Sequence, residues 1–283
     1  MPRIVSWFSS GAASAVATHI ALNSYKQKYP DHEFIVASIY LKDEHSDSHR
    51  FLKDCEKWFN HPIIVLQDVK HNASVDAVVE KYRYMSGVTG ARCTKELKKQ
   101  VRLDWQRHDD VHVFGMTKDE EHRINRLIDN ENEILLWSPL IDNGYTKDMC
   151  FKELDKANIK MPEMYQLGFN NNNCIGCLKA GGAGYWNHTR KHFSDVYETR
   201  SKQEQLLNVS LVKVSYKKFN RLYPEIIKKV KTEEKEKEIE ILKLSDKGVC
   251  RMQLRYLPEN YGDQKSMYVG DCGFFCEQGE LFN

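Results

Sequence analysis

Short apolar runs and longer helix-patterned stretches alternate along the first half of the chain. Residues 3–8, Arg3-Ile4-Val5-Ser6-Trp7-Phe8, form a run of strand length that ends in Ser9-Ser10-Gly11. A helical pattern follows, with Ala17, Ile20 and Ala21 on one face, and stops near Pro30. Residues 33–41 read as a second buried strand, 48–60 as a helix, 63–66 as a third strand and 74–84 as a helix. A loop holding Gly87 and Gly90 then carries Arg92-Cys93-Thr94 into a basic helix over 95–107. Residues 111–116 give a fourth strand, 117–123 a charged turn, and 134–141 an apolar stretch ending at Asp142. Strands alternating with helices at this rhythm predict an α/β fold. Its sheet is expected to be doubly wound and mostly parallel, with ligands at the strand carboxyl ends.

The pattern changes after residue 200. Residues 217–243 predict a charged helical stretch whose apolar face holds Leu222, Ile226, Ile227 and Val230. From Cys250 onward, cysteines, aromatics and turn residues predict a small irregular C-terminal appendage. The expected division is a main domain over 1–200 and a charged, cysteine-containing segment over 201–283. Across the chain 42 Lys and Arg face 40 Asp and Glu, a net charge of +2 that neither selects nor excludes nucleic acid. No apolar run reaches membrane-span length and the N-terminus has no secretory pattern, so a cytoplasmic protein without membrane contact is expected. Eight cysteines in a reducing compartment point to metal or redox use for some of them, not to a disulfide framework.

Three stretches carry candidate chemistry. At the first strand-to-helix turn, Ser9, Ser10, Gly11 and Ser14 let backbone N–H groups approach an anion at the positive end of a helix. That turn is either a phosphate or sulfate cradle or a plain Ser/Gly turn. Next, Cys174-Ile175-Gly176-Cys177 places two thiolates within reach of one metal or cluster. Cys93, beside Arg92, is the best candidate for a third ligand. The alternatives are a redox dithiol for the pair and a small core residue for Cys93. Finally, the Gly-rich stretch 181–192 contains His188 and Arg190, and it is either an anion site or a glycine turn leading into a helix.

In ordered blocks over residues 3–197 the chain resembles the phosphoadenosine-phosphosulfate (PAPS) reductase family of the PP-loop, or adenine nucleotide alpha hydrolase-like, superfamily. The blocks are Phe8-Ser9-Ser10-Gly11, Asp43, Arg92-Cys93-Thr94 with Leu97-Lys98, and Gly115-Met116-Thr117-Lys118-Asp119-Glu120-Glu121-His122-Arg123. Pro139-Leu140-Ile141-Asp142, Met161-Pro162, Tyr165, Gly168-Phe169 and the Cys174–Cys177 pair complete the set. The resemblance implies a sheet of the HUP or PP-loop type. It also implies an adenine-nucleotide site, for PAPS or ATP, holding Ser9, Ser10, Gly11, Ser14, Asp43, Gly115, Lys118, Arg123 and Arg190. Cys93, Cys174 and Cys177 would hold a [4Fe–4S] cluster, with zinc as the alternative. Asp271-Cys272-Gly273 resembles the motif whose cysteine attacks the sulfonucleotide sulfur, which makes Cys272 the implied catalytic nucleophile. Cys272 and Cys276 with Cys250 also suit a zinc knot or a resolving pair.

Two departures pull in opposite directions. ATP pyrophosphatases of the superfamily carry an aspartate in the loop where this chain has Ala13, which leans towards a reductase. Cluster-bearing reductases have a Cys-Cys pair where this chain has Cys93 alone, and three cysteines resemble the superfamily's thiolation enzymes. The expected function is thiol-dependent reduction of a sulfonucleotide to sulfite, with thioredoxin or glutaredoxin as partner. The alternative is ATP-dependent sulfur transfer to tRNA or DNA through an iron–sulfur cluster. A second alternative is a non-catalytic protein that binds nucleotide and zinc. A homodimer is among the expected assemblies.

Overall fold

The computed structural model describes residues 1–87, 90–130, 134–233, 248–263, 267 and 269. Among them the elements run β1 (Arg3–Trp7), α1 (Ala12–Lys28), β2 (Glu33–Ile39), α2 (Ser48–Phe59), β3 (Ile63–Leu66) and α3 (Val75–Tyr82). A small hairpin, β4 (Ser86–Gly87) and β5 (Gly90–Ala91), precedes α4 (Arg92–Thr94), a π-helical turn over Lys95–Lys99, and α5 (Gln100–Trp105). Then come β6 (Val111–Val113), α6 (Glu121–Asn130), β7 (Leu135–Trp137), α7 (Pro139–Asp142), α8 (Lys147–Lys156) and α9 (Glu163–Gln166). The last described elements are α10 (Ala183–His192), α11 (Ser194–Leu207), β8 (Val212–Ser215), α12 (Tyr216–Leu222), α13 (Pro224–Glu233) and β9 (Val249–Met252).

The chain folds into two compact units. Among the described residues the first comprises 1–77 and 93–173, and the second 78–92 and 174 onward. Composition changes near residue 200, inside α11, whereas packing changes at Cys174, because surface charge and compaction respond to different residues.

The first unit is built on a five-stranded sheet ordered β3-β2-β1-β6-β7, and every neighbouring pair is parallel. This is the doubly wound α/β architecture that the alternating pattern predicts. Successive side chains of β1 point to opposite faces. Ile4 joins Val16, Phe51, Phe59, Val111 and Leu154 in one core, and Val5 and Trp7 join Ala37, Ile39 and Phe114 in the other. α1 belongs to the first core, where Ala12, Ala15, Ala17 and Ala21 combine high helix propensity with close approach to the sheet. At the start of β1, Arg3 donates two hydrogen bonds to the Asp110 carboxylate (2.8 and 2.6 Å), and its guanidinium lies 4.6 Å from the Trp105 ring centroid. Both members of this ion pair are buried.

Several elements are shorter or differently shaped than the pattern suggests. The expected helix over 95–107 begins with the π-helical turn and ends at Trp105. The fourth strand ends at Val113, and the apolar stretch 134–141 splits into β7 and α7, the latter starting at Pro139. The charged helix over 217–243 is broken at Pro224, whose ring cannot continue a helix, and its part beyond residue 233 lies outside the described residues.

In the second unit β8 and β9 pair antiparallel, and α10 packs on α11. Glu204 of α11 is fully buried and accepts the Leu211 and Leu254 N–H groups, each at 2.6 Å. Burial pushes its carboxyl up to about 8 against the pull of those two donors. Between about 4.5 and 8 the unfolded chain ionises this group while the folded chain keeps its proton. Its contribution to stability is therefore complete below 4.5 and is lost as pH rises through 8. Glu204→Gln should flatten a fall of up to about 1.4 kcal/mol per pH unit in that window. It should also cost about 1–3 kcal/mol at pH 5, because its NH2 faces a backbone N–H. Denaturant unfolding of both proteins at pH 5, 6.5 and 8 tests this, and equal pH dependence in the two refutes it.

Candidate nucleotide site

In a sheet of this order the direction of winding reverses between β1 and β6, and ligands of such sheets gather at the strand carboxyl ends beside that reversal. The turn from β1 into α1 lies there. Ser10 has a left-handed backbone (φ 55°), which turns the chain between strand and helix, and Gly11 caps α1 in an extended conformation (φ −101°). Ser14 Oγ closes the turn. It accepts from Ser9 N–H and Ser9 Oγ (both 3.1 Å) and donates to the Gly11 carbonyl (2.9 Å). α1 has no acidic residue in its first turn, so its partial positive end is not offset by its own sequence.

Gly115, just past β6, completes the wall. A Cβ there would lie 2.4 Å from Ser14 Cα and 2.5 Å from Ser14 N, so the glycine allows two backbones to touch. At Gly11 the situation differs. Its φ suits any residue, and a Cβ would meet only ordinary contacts, 3.6 Å to Ser9 Oγ and to Tyr165 Oη. The fold does not require glycine at position 11. The structure thus brings Ser9, Ser10, Gly11, Ser14 and Gly115 together.

The other expected anion-site residues have internal partners. Asp43 accepts the Val75 N–H (2.8 Å) and caps α3. Lys118 pairs with Glu121 at 2.6 Å, and Arg123 pairs with Glu120. Glu120 also accepts the Thr117 N–H, forming a capping box that fixes the charged turn. Arg190 stacks on Tyr197 at 4.3 Å and donates to the Tyr197 hydroxyl and the Leu257 carbonyl. The stretch around it runs from a glycine turn into a helix, with Gly182 at the N-cap of α10.

Sequence reasoning gave no role to three residues near the turn. Asn172 Nδ2 donates to the Ser10 carbonyl (2.8 Å) and to Ser48 Oγ (3.0 Å), which pins the left-handed residue. The Tyr165 hydroxyl accepts the Ala12 N–H at 3.4 Å. Lys147 Nζ lies 5.6 Å from the Tyr165 ring centroid and donates to the Asn170 carbonyl and Asn171 Oδ1. The sequence signals were Tyr165 itself, which stands among the blocks of the family resemblance, and the unusual run of four asparagines at 170–173.

In the second unit, Cys174 and Cys177 are both buried. Tyr185 holds their loop, donating from its hydroxyl to the Cys174 carbonyl (3.3 Å) and accepting the Cys177 N–H (2.9 Å). Burial raises the Tyr185 pKa, which keeps that hydroxyl a donor. Gly176 has φ +64°, and Arg200 donates to its carbonyl (3.2 Å). Cys93 is half-buried in α4. Burial pushes the Cys150 thiol up to about 12 and the Cys250 thiol to about 11, and that of Cys55 higher still, which holds all three as neutral thiols. All six described cysteines are free thiols, and Cys272 and Cys276 lie outside the described residues. Among the described residues no group of three or more His, Cys, Asp or Glu side chains is placed to hold a metal ion. Two thiols in one loop do not by themselves fit a four-iron cluster or a structural zinc.

No family model and no curated protein matches the chain. Among solved structures it is similar to the U34-tRNA thiolase NcsA from Methanococcus maripaludis with its [4Fe-4S] cluster, at 11% identity and a TM-score of 0.36. That likeness covers 73% of this chain and 73% of the other. A likeness this distant assigns neither a family nor an activity. Among the described residues no helix is long and apolar enough to cross a membrane.

Proposed function

We propose that this protein is an adenine-nucleotide-dependent enzyme of sulfur chemistry that transfers sulfur to tRNA or DNA. The observation that carries the reading is the β1–α1 turn at the winding reversal. There, left-handed Ser10, the Ser9–Ser14 hydroxyl network and Gly11 shape the positive end of a 17-residue helix, whose Ala12 amide carries only a long bond (3.4 Å) to the Tyr165 hydroxyl, into a cradle for phosphate. ATP held there would accept an oxygen of the nucleic acid at its α-phosphate and release pyrophosphate, leaving a carbon open to sulfur. A persulfide on Cys174, loaded by a persulfide donor, would attack that carbon and displace AMP, and Cys177 would then release the thiolated product by closing a Cys174–Cys177 disulfide that an external thiol reduces.

Reduction of PAPS to sulfite is the second reading, and the absence of an acidic residue from the first turn of α1 favours it. Its implied nucleophile, Cys272, lies outside the described residues. Two reactions separate the readings: ATP with tRNA or plasmid DNA, followed by pyrophosphate release, and PAPS with thioredoxin, followed by sulfite. Nucleic-acid-dependent pyrophosphate is expected, and Cys174→Ser should retain it while losing sulfur incorporation. Sulfite alone would replace the first reading by the second. Failure to bind either nucleotide in calorimetry would remove both.

A further inference from the structure

Residues 213–233 hold seven Lys and Arg against two Glu, an excess of five in a chain whose net charge is only +2. The rest of the chain is therefore net acidic, and positive charge is gathered in one short stretch of the second unit. That stretch folds as β8, α12 and α13. On α12, Lys217 and Arg221 lie one turn apart on one side, and Phe219, two residues from each, lies on the other. Phe219 is fully buried, with its ring centroid 5.2 Å from that of Tyr223 and 4.9 Å from that of Tyr261. Its burial turns both cations to solvent. Lys218 stands between them in sequence, and all three are exposed. α12 contains no acidic residue. On α13, Ile227 and Val230 are buried while Lys228 and Lys229 are exposed. Lys229 pairs with Glu233 at 3.7 Å, but Lys217, Lys218, Arg221 and Lys228 make no ion pair among the described residues.

We infer that the basic face of α12 and the lysines of α13 dock the sugar-phosphate backbone of a nucleic-acid double helix. Lysine presents a point charge on a flexible stem, which suits phosphate without reading bases. Each cation placed on a phosphate releases condensed counterions, which drives binding and makes it fall with salt. The single sign of α12 sets this face apart from an ordinary solvated helix, in which Lys and Glu alternate. A membrane is a poorer partner. An interfacial helix needs a free apolar face to bury, and here Phe219, Ile227 and Val230 are already buried in the protein. The surface takes its partner from the sulfur-transfer reading above and makes no use of the β1–α1 turn.

Fluorescence anisotropy of a labelled DNA duplex of about 20 bp, titrated without ATP at about 50 and 200 mM salt, tests it. A triple variant, Lys217→Gln with Lys218→Gln and Arg221→Gln, is expected to bind at least about tenfold more weakly at the lower salt. Its slope of log K against log salt should be smaller by about three, one for each lost phosphate contact. Its thermal midpoint should stay at the wild-type value, because all three side chains are exposed. A control, Lys53→Gln with Lys57→Gln and Lys152→Gln, removes the same charge from exposed positions of the first unit. It should change binding less than about twofold. Equal loss in the control overturns the proposal, since net charge alone would then explain both. Wild-type affinity and slope in the triple variant also overturn it, and leave the sulfur-transfer reading standing on another surface. So does a wild-type protein that ignores the duplex or prefers phosphatidylserine vesicles to it. A protein that binds the duplex through α12 but releases no nucleic-acid-dependent pyrophosphate keeps this surface and loses the sulfur-transfer reading.

Discussion

Gly115→Ala is expected to lower stability by about 3 kcal/mol and to abolish nucleotide binding in whatever fraction still folds. The added methyl would sit 2.4 Å from Ser14 Cα, 2.5 Å from Ser14 N and 2.8 Å from the Ala13 carbonyl carbon. All three are backbone atoms of the first turn of α1, so no rotamer change relieves the contact. Either the chain after β6 or the start of α1 has to shift. Both form the wall of the cradle, so the stability loss and the binding loss share one cause. Gly11→Ala makes the contrast, because its methyl meets ordinary contacts and its φ is unstrained. It should keep the wild-type unfolding midpoint while weakening nucleotide. Differential scanning calorimetry with ATP titration reads both effects. A Gly115→Ala protein of wild-type stability would mean that the two backbones are not in contact.

Asp110→Ala should cost about 3–5 kcal/mol, because it leaves the Arg3 guanidinium buried without its carboxylate. That carboxylate accepts two bonds from Arg3 and one from the Arg107 N–H (2.8 Å), so it ties the first strand to the segment leading into β6. The penalty belongs to the stranded charge more than to the pair. Replacing both partners with apolar residues, Arg3→Met with Asp110→Leu, should recover most of the loss. Guanidinium unfolding of the three proteins decides the matter. A double variant no more stable than Asp110→Ala would show that the pair itself, and not desolvation of one partner, holds the strands.

The architecture was largely readable from local pattern, because period and turn chemistry are local. The run from Arg3 to Phe8 and the Ser-Gly turn after it name a strand, a cradle and a helix start within a dozen residues. The supporting contacts were not readable. Tyr165 and Asn172 reach Ala12 and Ser10 across 153 and 162 residues, and nothing in either neighbourhood announces the partner. Charge was equally opaque. Lys118 and Arg123 look like anion ligands as letters, and the letters do not show that each also pairs with a glutamate three residues away, Glu121 and Glu120. Among the cysteines, Cys55 and Cys150 gave no spacing signal, and they prove to be ordinary core residues. The π-helical turn over Lys95–Lys99 also escaped, because a single inserted residue leaves the apolar period almost intact.

The central position of β1 has a consequence for synthesis. This strand pairs first with β2, which follows closely, but its other edge is covered only by β6, and Trp7 bonds His112 across 105 residues. At about 5–20 residues per second, that edge waits on the order of 5–20 s on the ribosome as a bare row of amides and carbonyls. The nascent chain is thus open to wrong strand partners until its middle third emerges. Slowing translation between residues 60 and 115 should lower the soluble yield more than slowing it after residue 140.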